Sequence, residues 1–218
     1  TVTDINGTQL TSGTHFNAVI TKGGETVNSV TDKGEYVLTL TGLSPYTGTK
    51  TLNFSVSDAD LTISSAEDWN TFANNVSNGE TYSGKYVKLA SNFDNSATPV
   101  TRMVGSNEHR FCGTFDGNGK TLTISLSAQT NDCAPFLYID GATITDLTVA
   151  GSVSTPAKYG ASIAADTDGT TNITNCTSTV TITSTAISSD DGTHGGFVAV
   201  REGNATLYFT NCVFKGEM

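Results

Sequence analysis

The first quarter of the chain alternates between short apolar runs and turns that contain glycine. In residues 15–20, 36–40 and 51–56 apolar side chains tend to occupy alternate positions, which is typical of half-buried antiparallel strands. Glycines fall between these runs, where turns with positive φ favour glycine. The pattern predicts a small all-β sandwich over residues 1–59.

A helical pattern follows at about residues 65–77. Apolar residues recur there at i, i+3, i+4 and i+7, which is one face of an amphipathic helix. They are Trp69, Phe72, Ala73 and Val76. Ser64 or Ser65 can cap the first turn, and Gly79 marks the end. We expect this helix to cover the open end of a β stack.

One four-residue motif recurs beyond residue 85. Its first position is apolar, its second is threonine, its third is aspartate or asparagine, and its fourth is again apolar. It begins at Ile144, Ile173 and Phe209, so successive copies lie 29 and 36 residues apart. Residues 111–124 contain a more divergent copy. Repeats of about 20–50 residues made of short strands are typical of solenoids. We therefore predict stacked coils over about residues 85–218.

The third position of the motif is occupied by Asp146, Asn175 and Asn211. If the coils stack in register, these side chains can hydrogen-bond up the stack as a structural ladder at a tight corner. A catalytic role for Asp146 is the alternative. The fourth position places Cys176 and Cys212 in the slot of Leu147, so we expect two packed, reduced thiols in preference to a disulfide.

Cys112 and Cys133 each precede a phenylalanine by three residues, Phe115 and Phe136. If these phenylalanines are equivalent, the two cysteines stack about 4.8 Å apart and lie within reach of a disulfide. Free thiols are an equal alternative. No C-x-x-C pair occurs that would indicate a zinc or redox site.

Two parts of the chain resemble known families. Asp32-Lys-Gly-Glu-Tyr-Val-Leu-Thr-Leu-Thr-Gly42 followed by Tyr46-Thr-Gly-Thr49 resembles the immunoglobulin-like repeats of bacterial cell-surface proteins, which are usually spacers or stalks. Gly195-Gly-Phe-Val-Ala-Val200 leading to Phe209-Thr-Asn-Cys212-Val-Phe-Lys-Gly216 is similar to the repeat called the GLUG motif. Because Gly113-Thr-Phe-Asp-Gly-Asn-Gly-Lys-Thr-Leu122 precedes this repeat, residues 60–218 resemble the start of a right-handed parallel β-helix of the pectate-lyase-like type. Such regions are common in surface-exposed and secreted proteins of gut bacteria, so the resemblance implies an extracellular or cell-surface location.

The composition narrows the class of partner. A net charge of −10 with only 15% charged residues argues against nucleic acid and anionic membrane surfaces. No run approaches the roughly 18 apolar residues of a membrane span. The chain opens on Thr1 and stops just after a repeat motif, so we expect an excised piece whose last coil is covered by more chain or by a partner.

Acidic turns and aromatic residues supply the candidate binding chemistry. Four aspartates lie in Asp-Gly turns of neighbouring coils and could hold calcium, although Asp-Gly is also ordinary turn chemistry; they are Asp166, Asp168, Asp190 and Asp191. No other cofactor is expected. Aromatic rings that could stack on sugars are Tyr208, Tyr138 and Tyr159. Tyr208 should point outward because Leu207 and Phe209 alternate with it; a neutral surface tyrosine is the alternative.

These observations favour a non-catalytic extracellular binding module whose partner is a glycan or a surface protein. The alternative is a carbohydrate-active enzyme, a polysaccharide lyase or glycoside hydrolase, or its accessory domain, because β-helix folds host both activities. Between Lys120 and Arg201 the only Lys or Arg is Lys158. The coils therefore lack the basic groups that a lyase groove would need.

Overall fold

A computed structural model describes residues 2–4, 6–30, 34–56, 59–93, 99–127, 132–156, 159–184 and 194–218. The fold is all-β with one short α-helix in the described part. The chain divides into two compact units, residues 1–58 and 59–218. Each is described below by itself.

The first unit contains a two-stranded antiparallel ribbon and a four-stranded antiparallel sheet. Among the residues described there, Tyr36 and Phe16 are buried, and the ring of Tyr36 stacks on that of its cross-strand neighbour Phe54 at 5.5 Å. The strands are β1 Val2–Thr3, β2 Gln9–Leu10, β3 Phe16–Lys22, β4 Glu25–Thr26, β5 Gly34–Gly42 and β6 Thr49–Val56. The ribbon pairs β1 with β2, and the sheet has the order β4-β3-β5-β6.

The second unit is a parallel β-solenoid of about 4 turns, which confirms the predicted stack of coils. It begins with β7 Leu61–Ile63, α1 Ala66–Ser77, β8 Tyr86–Leu89, β9 Thr114–Asp116, β10 Thr121–Ser127 and β11 Asp132–Cys133. It continues with β12 Phe136–Asp140, β13 Thr143–Thr145, β14 Thr148–Thr155, β15 Tyr159–Gly160 and β16 Ala164–Asp168. It ends with β17 Thr170–Thr174, β18 Thr177–Ser178, β19 Thr181–Ser184, β20 Val198–Arg201, β21 Thr206–Thr210 and β22 Val213–Phe214.

Equivalent strands of successive turns form the solenoid's sheets. The six-stranded sheet has the order β21-β17-β13-β9-β8-β7, and the three-stranded sheet is β12-β16-β20. The five-stranded sheet runs β10-β14-β18-β22 with β19 also on β14, and β11 pairs with β15. In the six-stranded sheet Phe115, Ile144, Ile173 and Phe209 stand in one register row. The first three are fully buried, whereas Phe209 lies on the last turn and is 48% exposed.

The helix forms where the apolar spacing predicted it. Ser65 is its N-cap and accepts a hydrogen bond from the backbone N–H of Asp68 at 3.1 Å, which satisfies one of the unpaired donors of the first turn. All four residues of the apolar face are fully buried. The ring of Trp69 lies 5.8 Å from that of Phe115 and 5.7 Å from that of Phe136. The helix therefore covers the core at the first turns of the solenoid.

Candidate functional site

A ladder of polar side chains lines the corner between the six-stranded and five-stranded sheets. The Asn175 amide donates to Oδ1 of Asp146 at 3.0 Å, and the Asn211 amide donates to Oδ1 of Asn175 at 3.2 Å. All three residues have positive φ, between 52° and 54°, a conformation that Asp and Asn tolerate better than other non-glycine residues. The repeated Asp or Asn thus has two roles: it allows the positive φ at the corner, and its side chain forms hydrogen bonds between successive turns of the solenoid.

Cys176 and Cys212 follow this ladder as stacked free thiols. Cys176 is fully buried and its thiol donates to the carbonyl oxygen of Thr174 at 3.3 Å. Burial raises the pKa of Cys176 to about 12. A thiol with such a pKa is a packing residue, because thiolate is the reactive form.

The expected stacking of Cys112 on Cys133 is wrong. Phe115 pairs with Ile144 in the six-stranded sheet, whereas Phe136 pairs with Ala164 in the three-stranded sheet. The two phenylalanines are therefore not equivalent, and the shared three-residue offset was misleading. Both cysteines are free thiols, and Cys133 pairs with Gly160 across β11 and β15.

The acidic turns are occupied by protein contacts where the structure describes them. Oδ1 of Asp168 accepts the backbone N–H of Gly169 at 2.7 Å, and Asp166 forms an ion pair with Arg110. Asp190 and Asp191 lie outside the described residues. Across the described ranges, no group of three or more His, Cys, Asp or Glu side chains could hold a metal ion.

A polar cluster that we call the Arg110 cluster joins Arg110, Asp132, Tyr138, Asp166 and Glu202. Nη1 of Arg110 lies 3.0 Å from Oδ1 of Asp166, and Nη2 lies 3.0 Å from Oε2 of Glu202. The guanidinium also sits over the Tyr138 ring, 5.3 Å from its centroid. The Tyr138 hydroxyl donates to Oδ2 of Asp132. Oδ1 of Asp132 is buried without a hydrogen-bond partner in the described part of the chain.

The strand register explains how these groups meet. Tyr138 and Asp166 are direct neighbours on β12 and β16, and the backbone N–H of Glu202 binds the carbonyl of Thr167 at 2.9 Å just after β20. Arg110 precedes Phe111, which bridges to Ile139 one turn further on. One guanidinium therefore ties residues of three neighbouring turns.

The surroundings shift the pKa values of several groups in the Arg110 cluster. Burial and the nearby Glu202 carboxylate together raise the pKa of Asp166 to about 6, although Arg110 acts to lower it. Although burial disfavours its charge, the two carboxylates raise the pKa of Arg110. Burial and the bond to Asp132 raise the pKa of Tyr138. Two carboxylates thus share one permanently charged guanidinium, and Asp166 is the group that can take up a proton near neutral pH.

The three tyrosines predicted to bind ligand have different surroundings. Tyr138 belongs to the Arg110 cluster, and Tyr159 is half-buried against a small apolar cluster that includes Ala161 and Ala165. Tyr208 is 56% exposed. Of the three, only Tyr208 offers a ring that is largely open to a ligand.

Tyr208 lies in a row of polar residues on the outer side of the six-stranded sheet. The register aligns Tyr208 with Asn172, Asn172 with Thr143, and Thr143 with Thr114. The residues that alternate with them on the middle strands, such as Ile144 and Ile173, are fully buried, so the row faces outward. We call Thr114, Thr143, Asn172 and Tyr208 the tyrosine face.

Sequence reasoning missed Arg110, Asp132 and Glu202. Nη2 of Arg110 also donates to the nearby Asn107, but its two carboxylate partners are 56 and 92 residues away along the chain, and no local spacing encodes such contacts. The low charge density is the one signal that could have drawn attention to them, because each charged residue stands out between neutral strands.

Comparison with protein-family models, with curated proteins and with solved structures finds no significant match. The resemblance to immunoglobulin-like repeats and to the GLUG motif therefore stays a prediction. Among the described residues, no helix has the length and apolar character needed to cross a membrane.

Proposed function

We propose that this chain is a non-catalytic, extracellular binding module that recognises a neutral glycan on a bacterial or host surface. The observation that carries the proposal is the tyrosine face. It presents one largely exposed aromatic ring beside amide and hydroxyl groups on adjacent parallel strands. Parallel strands fix such groups about 4.8 Å apart.

The chemistry of the tyrosine face suits a sugar. The apolar side of a sugar ring can pack on the Tyr208 ring, as aromatic side chains combine a flat apolar surface with a polar tip. Asn172 and Thr143 can donate to and accept from sugar hydroxyls. All four residues of the face are uncharged, which favours a neutral glycan over an acidic one.

Both resemblances in the sequence support an extracellular role. We propose that the first unit is an immunoglobulin-like spacer and that the solenoid is a right-handed β-helix of a surface protein from a gut bacterium. A surface protein of the host or of another bacterium is the second class of partner, because a flat polar sheet can also dock a protein.

A glycan array probed with the full chain tests the proposal. We expect binding to neutral glycans that Tyr208→Ala reduces at least tenfold and Tyr208→Phe largely keeps, since the ring carries the stacking. Val213→Ala is the matched control, because Val213 is 45% exposed on the same last turn but belongs to the five-stranded sheet. Equal binding by Tyr208→Ala and the wild type would contradict the proposal.

The Arg110 cluster favours a second candidate, a glycoside hydrolase. Such enzymes use two carboxyl groups of different pKa, about 5–9.5 Å apart. Asp166, with its pKa of about 6, has Glu202 as a hydrogen-bonding neighbour, so this pair would have to separate on binding substrate, and the hydrolase ranks below the binding module. A lyase is less well supported, because the raised pKa of Arg110 keeps it charged and unable to remove a proton. Release of reducing ends from a polysaccharide panel, abolished by Asp166→Asn, would establish the hydrolase.

A further inference from the structure

A cleft of about 420 Å³ lies in the first unit, within the size range of small-molecule sites. Its apolar lining comes from Leu10 of the two-stranded ribbon and from Phe16 and Leu40 of the four-stranded sheet. The turn that follows β5 contributes Tyr46. The cleft is thus built between three separate parts of the unit.

Backbone hydrogen bonds hold the turn beside the cleft in place. The N–H of Gly42 donates to the carbonyl of Gly48 at 2.9 Å, and the N–H of Leu43 donates to the carbonyl of His15 at 2.9 Å. A Cβ on Gly42 would lie 2.9 Å from the backbone carbonyl of Tyr46, so only glycine allows this close approach. The wall is formed before any ligand arrives, which reduces the entropic cost of binding.

The polar side chains that line the cleft include a histidine and a lysine. Nδ1 of His15 accepts the backbone N–H of Thr11 at 2.8 Å, which leaves Nε2 as the donor of the neutral ring. The rings of His15 and Tyr46 meet edge to face at 5.5 Å. Lys50 also lines the cleft, and no carboxylate among the described residues lies within 4.0 Å of its ammonium.

The side chains that line the cleft have the opposite charge balance to the chain as a whole. Asp and Glu outnumber Lys and Arg by 21 to 11 overall, yet among the described residues that line the cleft there is a cation, Lys50, and no acidic residue. Lys50 has no carboxylate partner in the described part of the chain, so its ammonium, beside an apolar wall, can pair with a carboxylate whose body is apolar on one side.

We propose that this cleft binds a small ring-shaped carboxylate. The carboxylate pairs with Lys50 and the ring packs against Phe16, Leu40 and Tyr46. Two sources share this chemistry, a sugar acid and an aromatic acid. The site belongs to the first unit and is independent of the tyrosine face, so loss of glycan binding by Tyr208→Ala leaves it untouched.

The test titrates the full chain with D-glucuronate and, separately, with phenylacetate, while backbone amide resonances are followed by NMR. The neutral counterparts D-glucose and 2-phenylethanol are titrated in parallel. We expect at least one acid to shift the amides of His15, Tyr46 and Gly48, with its neutral counterpart at least tenfold weaker. The acid that binds identifies the source.

Lys50→Met should weaken the acid at least tenfold, the order expected for a lost charge-assisted hydrogen bond. Lys215→Met, the same change at an exposed lysine of the other unit, should leave the affinity unchanged. Lys50 is itself exposed, and undisturbed amide resonances elsewhere verify that the variant is folded. No shift with either acid at millimolar concentration, equal binding of acid and neutral counterpart, or full affinity in Lys50→Met would each overturn the proposal.

Discussion

Arg110→Met should destabilise the solenoid unit strongly at pH 8 and much less at pH 5. The variant keeps much of the apolar stem of the side chain but removes both ion pairs, each of 3.0 Å. The Asp166 side chain is 8% exposed and that of Glu202 is 44% exposed. Glu202 can therefore turn to water, whereas Asp166 is left as a buried charge without its partner.

The magnitude follows from this difference in exposure. Removing one partner of a buried ion pair costs about 3–5 kcal/mol of stability, whereas an exposed ion pair contributes about 0–1 kcal/mol. Asp166 can limit the loss by taking up a proton, and without the guanidinium its pKa should rise above the wild-type value of about 6. We expect a loss of about 3 kcal/mol at pH 8 and about 1 kcal/mol at pH 5.

The sign of the pH dependence is fixed by the direction of the shift. The folded-state pKa of Asp166 lies above the ordinary value of 3.8. The folded protein therefore binds the proton more tightly than the unfolded chain, and this contribution to stability is lost as the pH rises from about 4 through about 6. In Arg110→Met the same loss should extend to higher pH.

Urea unfolding followed by tryptophan fluorescence measures the effect. The chain has one tryptophan, Trp69, which is fully buried in α1 and so reports on the solenoid unit. The control is Arg102→Met, the same change at an exposed arginine. Adding Asp166→Asn to Arg110→Met should restore most of the stability at pH 8. Equal losses at pH 5 and pH 8, or a double variant as unstable as the single one, would refute the reasoning.

Three further predictions concern the ladder, the thiols and the helix. Asn175→Ala should cost about 2 kcal/mol in urea unfolding, because it removes bonds to both neighbouring turns and strains a positive φ; Asn175→Gly should cost less, and the reverse order would contradict the ladder. Cys176 should resist a thiol reagent in the folded protein at pH 8 and react after unfolding, because its pKa is raised to about 12; rapid labelling of the native chain would contradict this. Trp69→Ala should cost about 3–5 kcal/mol in thermal or urea unfolding followed by circular dichroism, whereas a loss below about 1 kcal/mol would show that the helix does not cover the core.

The parts of the fold that are encoded locally were predictable. The helix follows from apolar residues three and four positions apart, and the stacking of Ile144, Ile173 and Phe209 follows from a motif that repeats with Thr and Asp or Asn inside it. The pairing of Cys112 with Cys133 failed because a single repeated phenylalanine is too weak a marker of register. Each copy of the four-residue motif lies at the corner that holds the polar ladder. Cys112, in contrast, precedes a strand of the six-stranded sheet, and Cys133 precedes a strand of the three-stranded sheet.

The Arg110 cluster and the cleft of the first unit were not predictable in the same way. The cluster depends on a side chain that spans neighbouring turns, so its members appear together only once the register of β12, β16 and β20 is known. The cleft depends on a tight turn after β5 and on a two-stranded ribbon too short to carry a pattern. Neither Lys50 nor His15 has a sequence neighbour that marks it as a binding residue.

The central claim is that the solenoid binds a glycan through the tyrosine face without changing it. The most direct measurement incubates the full chain with the strongest neutral glycan of the array, follows binding by calorimetry and then analyses the recovered glycan by mass spectrometry. We predict reversible binding that Tyr208→Ala abolishes, and a glycan recovered with its mass unchanged. Shortened products that disappear with Asp166→Asn, together with full binding by Tyr208→Ala, would contradict the account.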